Sequence, residues 1–103
     1  MNENVEYVKK VLPKPVLFVQ LAEECDELGQ AALKMFRILD GRNPTPVTLE
    51  EGVEKLFEEI SDILGVLRAL ELTDTECAAQ YAQISSSKYE RWVGRLKEKY
   101  GEE

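Results

Sequence analysis

Two acidic clusters at helical spacing carry the chemistry of this chain: Glu23, Glu24 and Glu27 in LAEECDELGQAALK, and Glu58, Glu59 and Asp62 in LFEEISDILGVL. On an α-helix, residues three and four apart share a face. Each cluster therefore presents several carboxylates to one point, which is how a hard divalent cation is held through oxygen. The chain has no histidine. That removes the usual zinc sites, the histidine ligands of di-iron bundles, and any Ser-His or Cys-His hydrolytic pair. Oxygen-ligand chemistry is left, and it suits Mg²⁺, with Mn²⁺ as the second choice. Cys25 and Cys77 are too few for a disulfide framework and are not spaced as zinc ligands. Cys25 falls on the apolar stripe of its helix and reads as a small core residue.

Helical phasing sharpens the assignment. Leu17, Phe18, Leu21, Leu28, Ala32, Met35, Phe36 and Leu39 form one apolar stripe, with Glu24 inside its edge, Glu27 just beyond it and Asp26 on the opposite side. In the second segment Val53, Leu56, Phe57, Ile60, Ile63, Leu64, Leu67 and Leu70 form the stripe. Glu59 falls between Val66 and Leu70, Asp62 lies beside Val66, and Glu58 points away as a surface residue. A carboxylate among apolar neighbours is costly unless its charge is compensated. A bound metal is the simplest compensation.

The elements that position these residues are all helical. A short amphipathic segment spans about Asn4 to Leu12 and ends at Pro13. A long helix starts near Pro15, a favourable first-turn residue, and stops at Asp40 before Gly41. GRNPTPV is a loop, because its prolines forbid a continuing helix. Thr48 with Glu51 reads as a capping box opening a helix that runs to about Glu71, and Thr73 with Glu76 repeats the device for a last helix that ends near Gly101. No strand pattern or internal repeat occurs. The predicted architecture is all-α: one domain over residues 1–103, three long helices plus a short N-terminal helix, completed by a second subunit. The second subunit is expected because a chain this short has few helices to cover Ile60 to Leu70, which is apolar around much of its circumference.

The formal charge of −7 argues against a nucleic-acid polymer or an anionic membrane as the main partner. Free nucleotides remain open, since a metal can bridge a negative protein to a negative ligand. No apolar run approaches the ~20 residues that span a bilayer, and MNENVEYVKK lacks the charged and apolar zones of a signal peptide. The expected location is cytoplasmic. Lys88, Arg91 and Arg95 lie on one side of the last helix among Tyr81, Ile84 and Trp92. Like charges at this spacing repel, and an anion between them would relieve the repulsion; the alternative is a snorkelling face whose stems cover the core.

Together the clusters match EExxE, a spacer, then ExxD. In this pattern the chain resembles the MazG-like branch of the all-α nucleoside triphosphate pyrophosphatases, over roughly Pro15 to Leu96. The stretch between Glu27 and Glu59 is a few residues longer than usual, and GRNPTPV accounts for the excess. The resemblance implies hydrolysis of a nucleoside triphosphate to the monophosphate and pyrophosphate, in a bundle that is a homodimer or homotetramer. By resemblance, Glu24, Glu27, Glu59 and Asp62 hold Mg²⁺, and Glu23 or Glu24 takes a proton from the attacking water. Lys88 and Arg91 contact the phosphates; Gln20, one turn before the acidic cluster on the same side, is placed near the base pocket by its position. The alternative reading of the same stripes is a non-catalytic acidic helical module that binds a partner helix or a nucleotide.

Overall fold

The computed structural model describes residues 3–101. Four helices follow one another, α1 (Glu3–Val11), α2 (Lys14–Asp40), α3 (Leu49–Ala69) and α4 (Thr75–Tyr100), with no strand among the described residues. The all-α expectation holds. The chain divides into two compact units, Met1–Leu72 and Thr73–Glu103.

In the first unit α2 and α3 form a hairpin, and α1 also packs on α3. The contact follows a four-then-three spacing. Leu17, Leu21, Glu24, Leu28, Ala31, Met35 and Ile38 on α2, and Gly52, Leu56, Glu59, Ile63, Val66 and Leu70 on α3, are all buried or half-buried. Such a spacing keeps a narrow seam facing one partner helix. Its ends fix the direction: Leu17 packs with Ala69 and Leu70, whereas Gly52 lies against Met35 and Ile38, so the helices are antiparallel. A Cβ on Gly52 would come within 2.8 Å of Ile38 Cδ1 and Met35 Sδ, so this glycine admits the close approach of the first turn of α3.

The predicted α2 stripe is wider than the seam. Its second half, Phe18, Ala32, Phe36 and Leu39, is exposed, and Cys25 lies with it rather than in the core. These residues sit one position after the seam residues and so occupy the neighbouring face. Val53, Phe57, Ile60 and Leu64 do the same on α3. Among the described residues the buried apolar side chains are only Leu17, Ala31, Ala69 and Leu70, so the hairpin alone builds a thin core.

Local chemistry sets the helix ends. Gly41, in the left-handed region at φ 76°, closes α2 with its N–H donating to Arg37 O. The Thr48–Glu51 capping box opens α3 with both reciprocal bonds present. α3 ends two residues before the predicted Glu71. The Glu71 N–H donates to Arg68 O and the Leu72 N–H to Leu67 O, with Glu71 itself at φ 64°. This is the Schellman pattern with a glutamate where glycine is usual. Lys9 of α1 reaches Glu71 at 2.8 Å, and Val8 and Leu72 pack on the Leu17–Leu70 cluster.

In the second unit the cap of α4 is Asp74, not Thr73. Its carboxylate accepts from the Cys77 N–H at 2.9 Å. An ionised acceptor one residue later competes better for the positive end of the helix, and this hydrogen bond holds the Asp74 carboxyl below the usual carboxylate range. No residue of α4 is buried, and Tyr89 and Trp92 stack on each other with ring centroids 5.9 Å apart.

Thr48→Ala should cost about 1 kcal/mol of stability by removing one half of the capping box. Urea denaturation followed by far-UV circular dichroism measures the change.

Candidate metal centre

Glu24 holds a seam position on α2, Glu59 faces it from α3, and Glu27 stands at the seam's edge three residues beyond Glu24. One oxygen from each of Glu24, Glu27 and Glu59 lies within 4.8 Å of the others. Burial is graded across the three. Glu59 is 2% exposed, Glu24 is half-buried and Glu27 is exposed. The deepest carboxylate is therefore on α3 and not, as the apolar surroundings of Glu24 in the sequence suggest, on α2.

Two neighbours bond the cluster from within. Lys55, one turn before Glu59, places its Nζ 3.0 Å from Glu59 Oε2 and 3.7 Å from Glu58. Gln20 Nε2 donates to Glu24 Oε2 at 2.6 Å. The other oxygens, Glu24 Oε1 and Glu59 Oε1, are buried without a hydrogen-bond partner. A buried carboxylate oxygen left unbonded is costly, and the single ammonium of Lys55 cannot satisfy both. A divalent cation among the three carboxylates would satisfy them. The donor set, oxygen without nitrogen or sulfur, fits Mg²⁺ or Mn²⁺.

The electrostatics agree. Glu59 first and Glu24 next push the Glu27 carboxyl above the usual glutamate range, with partial desolvation and Asp62 adding to the shift and Lys55 opposing it. Asp62 is thus close enough to act on the cluster by charge, yet it lies outside the three-carboxylate convergence, lining a cavity that Glu24 also lines. Glu23 is exposed and also outside the convergence. Lys88 and Arg91 are exposed on α4, and Asp26 faces solvent as its phase requires.

Two cavities of about 420 Å³ each meet the cluster. The first lies among α1, α2 and α3, where apolar Val8, Leu17 and Val66 are interleaved with Asn4, Gln20, Glu24 and Asp62. The second is lined by Glu27, Gln30, Lys34 and Arg37 of α2 and by Lys55 and Glu59 of α3. Sequence reasoning passed over Lys55, although its place four residues before Glu59 signals a pair on one helix face. No family model, curated protein or solved structure matches this chain.

Crowded carboxylates make a prediction with a definite sign. Glu27 titrates near 4.5 when free of its neighbours and higher in the folded protein. Between those values the folded state holds more proton, so the ion-free protein loses stability as pH rises through that window. In EDTA, Glu27→Gln should match wild type below the window and melt higher than wild type above it. Millimolar Mg²⁺ should raise the melting temperature of wild type more than that of the variant, because only native carboxylates bind the ion. Thermal melts across pH, with and without the ion, check both halves.

Proposed function

We propose that this protein is a metal-dependent nucleoside triphosphate pyrophosphohydrolase of the MazG-like kind, releasing a nucleoside monophosphate and pyrophosphate. The observation that carries the reading is the convergence of the Glu24, Glu27 and Glu59 carboxylates, with Glu24 Oε1 and Glu59 Oε1 each buried and unbonded. They come from the two helices that bear EExxE and ExxD. A divalent ion bound there would offset charge on the phosphate oxygens and make water a stronger nucleophile.

The chain's own residues do the rest. Glu59 is the deep, fixed ligand, oriented by the seam and by Lys55. Gln20 holds one oxygen of Glu24 and so aims the other. Glu23 and Glu24 are the groups proposed to accept a proton from the attacking water. Asp62 joins as the fourth carboxylate when the cluster is loaded. The α1-side cavity, with its apolar walls and the amides of Asn4 and Gln20, suits a nucleoside, since apolar surface takes a base and amides read its edge. Lys88 and Arg91 of α4 are proposed as additional phosphate contacts on the resemblance alone.

The proposed assembly is a homodimer or homotetramer. The exposed face of Phe18, Phe36, Phe57, Ile60 and Leu64 runs beside the seam on both helices of the hairpin. Contiguous apolar surface of this kind is usually covered. The same exposed face favours one rival reading, a helical module that docks a partner helix without catalysis. No helix of the described residues is long and apolar enough to cross a membrane.

A panel of nucleoside triphosphates with Mg²⁺ tests the reading. Pyrophosphate with a monophosphate supports it, whereas orthophosphate with a diphosphate points to cleavage at the terminal phosphoryl group. Glu59→Gln should lower kcat/KM by orders of magnitude with the fold retained, because the amide keeps volume but lacks the charge an ion requires. Asp26→Asn should change little. Light scattering at micromolar concentration should show at least a dimer, and a stable, fully active monomer would refute the proposed assembly.

A further inference from the structure

The second cavity is lined by groups of both charges. Along α2, Glu27, Gln30, Lys34 and Arg37 follow at three- and four-residue intervals and share one face. Lys55 joins them from α3. Lys55 pairs with Glu58 and Glu59, but Lys34 and Arg37 have no ion pair among the described residues. Arg37 is half-buried all the same. In a chain of net charge −7, two unpaired cations and a third beside an acidic cluster are a local reversal of sign. Planar guanidinium and ammonium groups on one wall of a cavity match the oxygens of a phosphate chain.

We infer that this cavity is an anion subsite that takes the phosphate chain of the ligand, with Lys34 and Arg37 as its principal contacts and Lys55 at its junction with the carboxylates. The inference rests on the metal reading of Glu24, Glu27 and Glu59, and it adds a direction to it. Glu24 lines the nucleoside-sized apolar cavity, whereas Glu27 and Glu59 line the basic one. A nucleotide laid across the cluster therefore has its base on the α1 side and its phosphates toward Lys34 and Arg37. An anion there meets cations on one side and, across the cluster, the proposed ion on the other. Gln30, between them, supplies an amide donor.

Inorganic pyrophosphate is the probe, titrated calorimetrically into wild type, Lys34→Gln, Arg37→Gln and the double variant, each with and without Mn²⁺. Mn²⁺ is also titrated alone. Both positions keep solvent contact, so the variants should fold, and thermal melts confirm it. Lys14→Gln, about 30 Å along α2 from Lys34 at 1.5 Å per residue, controls for loss of one positive charge. The expected result is unchanged Mn²⁺ affinity in all variants, with pyrophosphate affinity lowered about tenfold by each single substitution and further by both. It should be within twofold of wild type in Lys14→Gln, and Arg37→Lys should recover part of the loss. Wild-type pyrophosphate affinity in the double variant overturns the subsite and leaves the metal reading standing. So does wild-type protein that binds Mn²⁺ but no pyrophosphate. Pyrophosphate binding that needs Lys34 and Arg37, in a protein to which Mn²⁺ alone does not bind, supports the subsite and refutes the metal reading. Binding of neither probe refutes both.

Discussion

A carboxylate buried between two helices is the constraint around which the hairpin is arranged. Glu59 occupies a seam position and is almost wholly buried, where a carboxylate is costly unless its charge is compensated. Lys55 provides part of that compensation through one oxygen. The remaining oxygen, together with one from Glu24, is left without a donor. Structures seldom tolerate such orphans without a reason. The unbonded pair is a cost to stability, which a bound cation would offset.

The backbone supports this by fixing register. Gly52 allows the start of α3 to lie close to Met35 and Ile38, and Leu17 with Leu70 anchors the far end. With both ends held, Glu59 must meet Glu24 and Glu27 in the middle. A slip by one residue would rotate Glu59 out of the seam altogether, because neighbours on a helix point to different faces. The capping box at Thr48 and the left-handed closures at Gly41 and Glu71 end the helices at lengths that permit this register. They are small local interactions with a consequence at the cluster.

The helices and the inward phase of Glu24 and Glu59 were legible in the sequence, since periodicity reports which residues share a face. Periodicity does not report how wide a face one partner covers. Phe18, Cys25, Ala32 and Phe36 belong to the same broad apolar band as Leu17 and Leu28, yet only the latter row meets α3. The end of α3 was hidden because Glu71 adopts a left-handed conformation that sequence rules reserve for glycine. The Asp74 cap was hidden because Thr73 offers the same spacing to Glu76 as Asp74 offers to Cys77. Lys34 and Arg37 look like solvated surface charge until α3 sets Lys55 and Glu59 in the same cavity wall. Their meaning lies in tertiary placement, which a single helix pattern does not contain.

The gradient of burial through the three carboxylates has its own consequence for chemistry. A ligand set wholly in the core would hold an ion but exclude a substrate, and one wholly in solvent would compete with water for the ion and lose its geometry to side-chain motion. Here Glu59 is almost wholly buried, Glu24 is half-buried with one oxygen tied by Gln20, and Glu27 is exposed, where like charge raises its proton affinity. A cation at the proposed site would have a buried ligand on one side and solvent on the other, the arrangement needed to hold protein and phosphate oxygens at once.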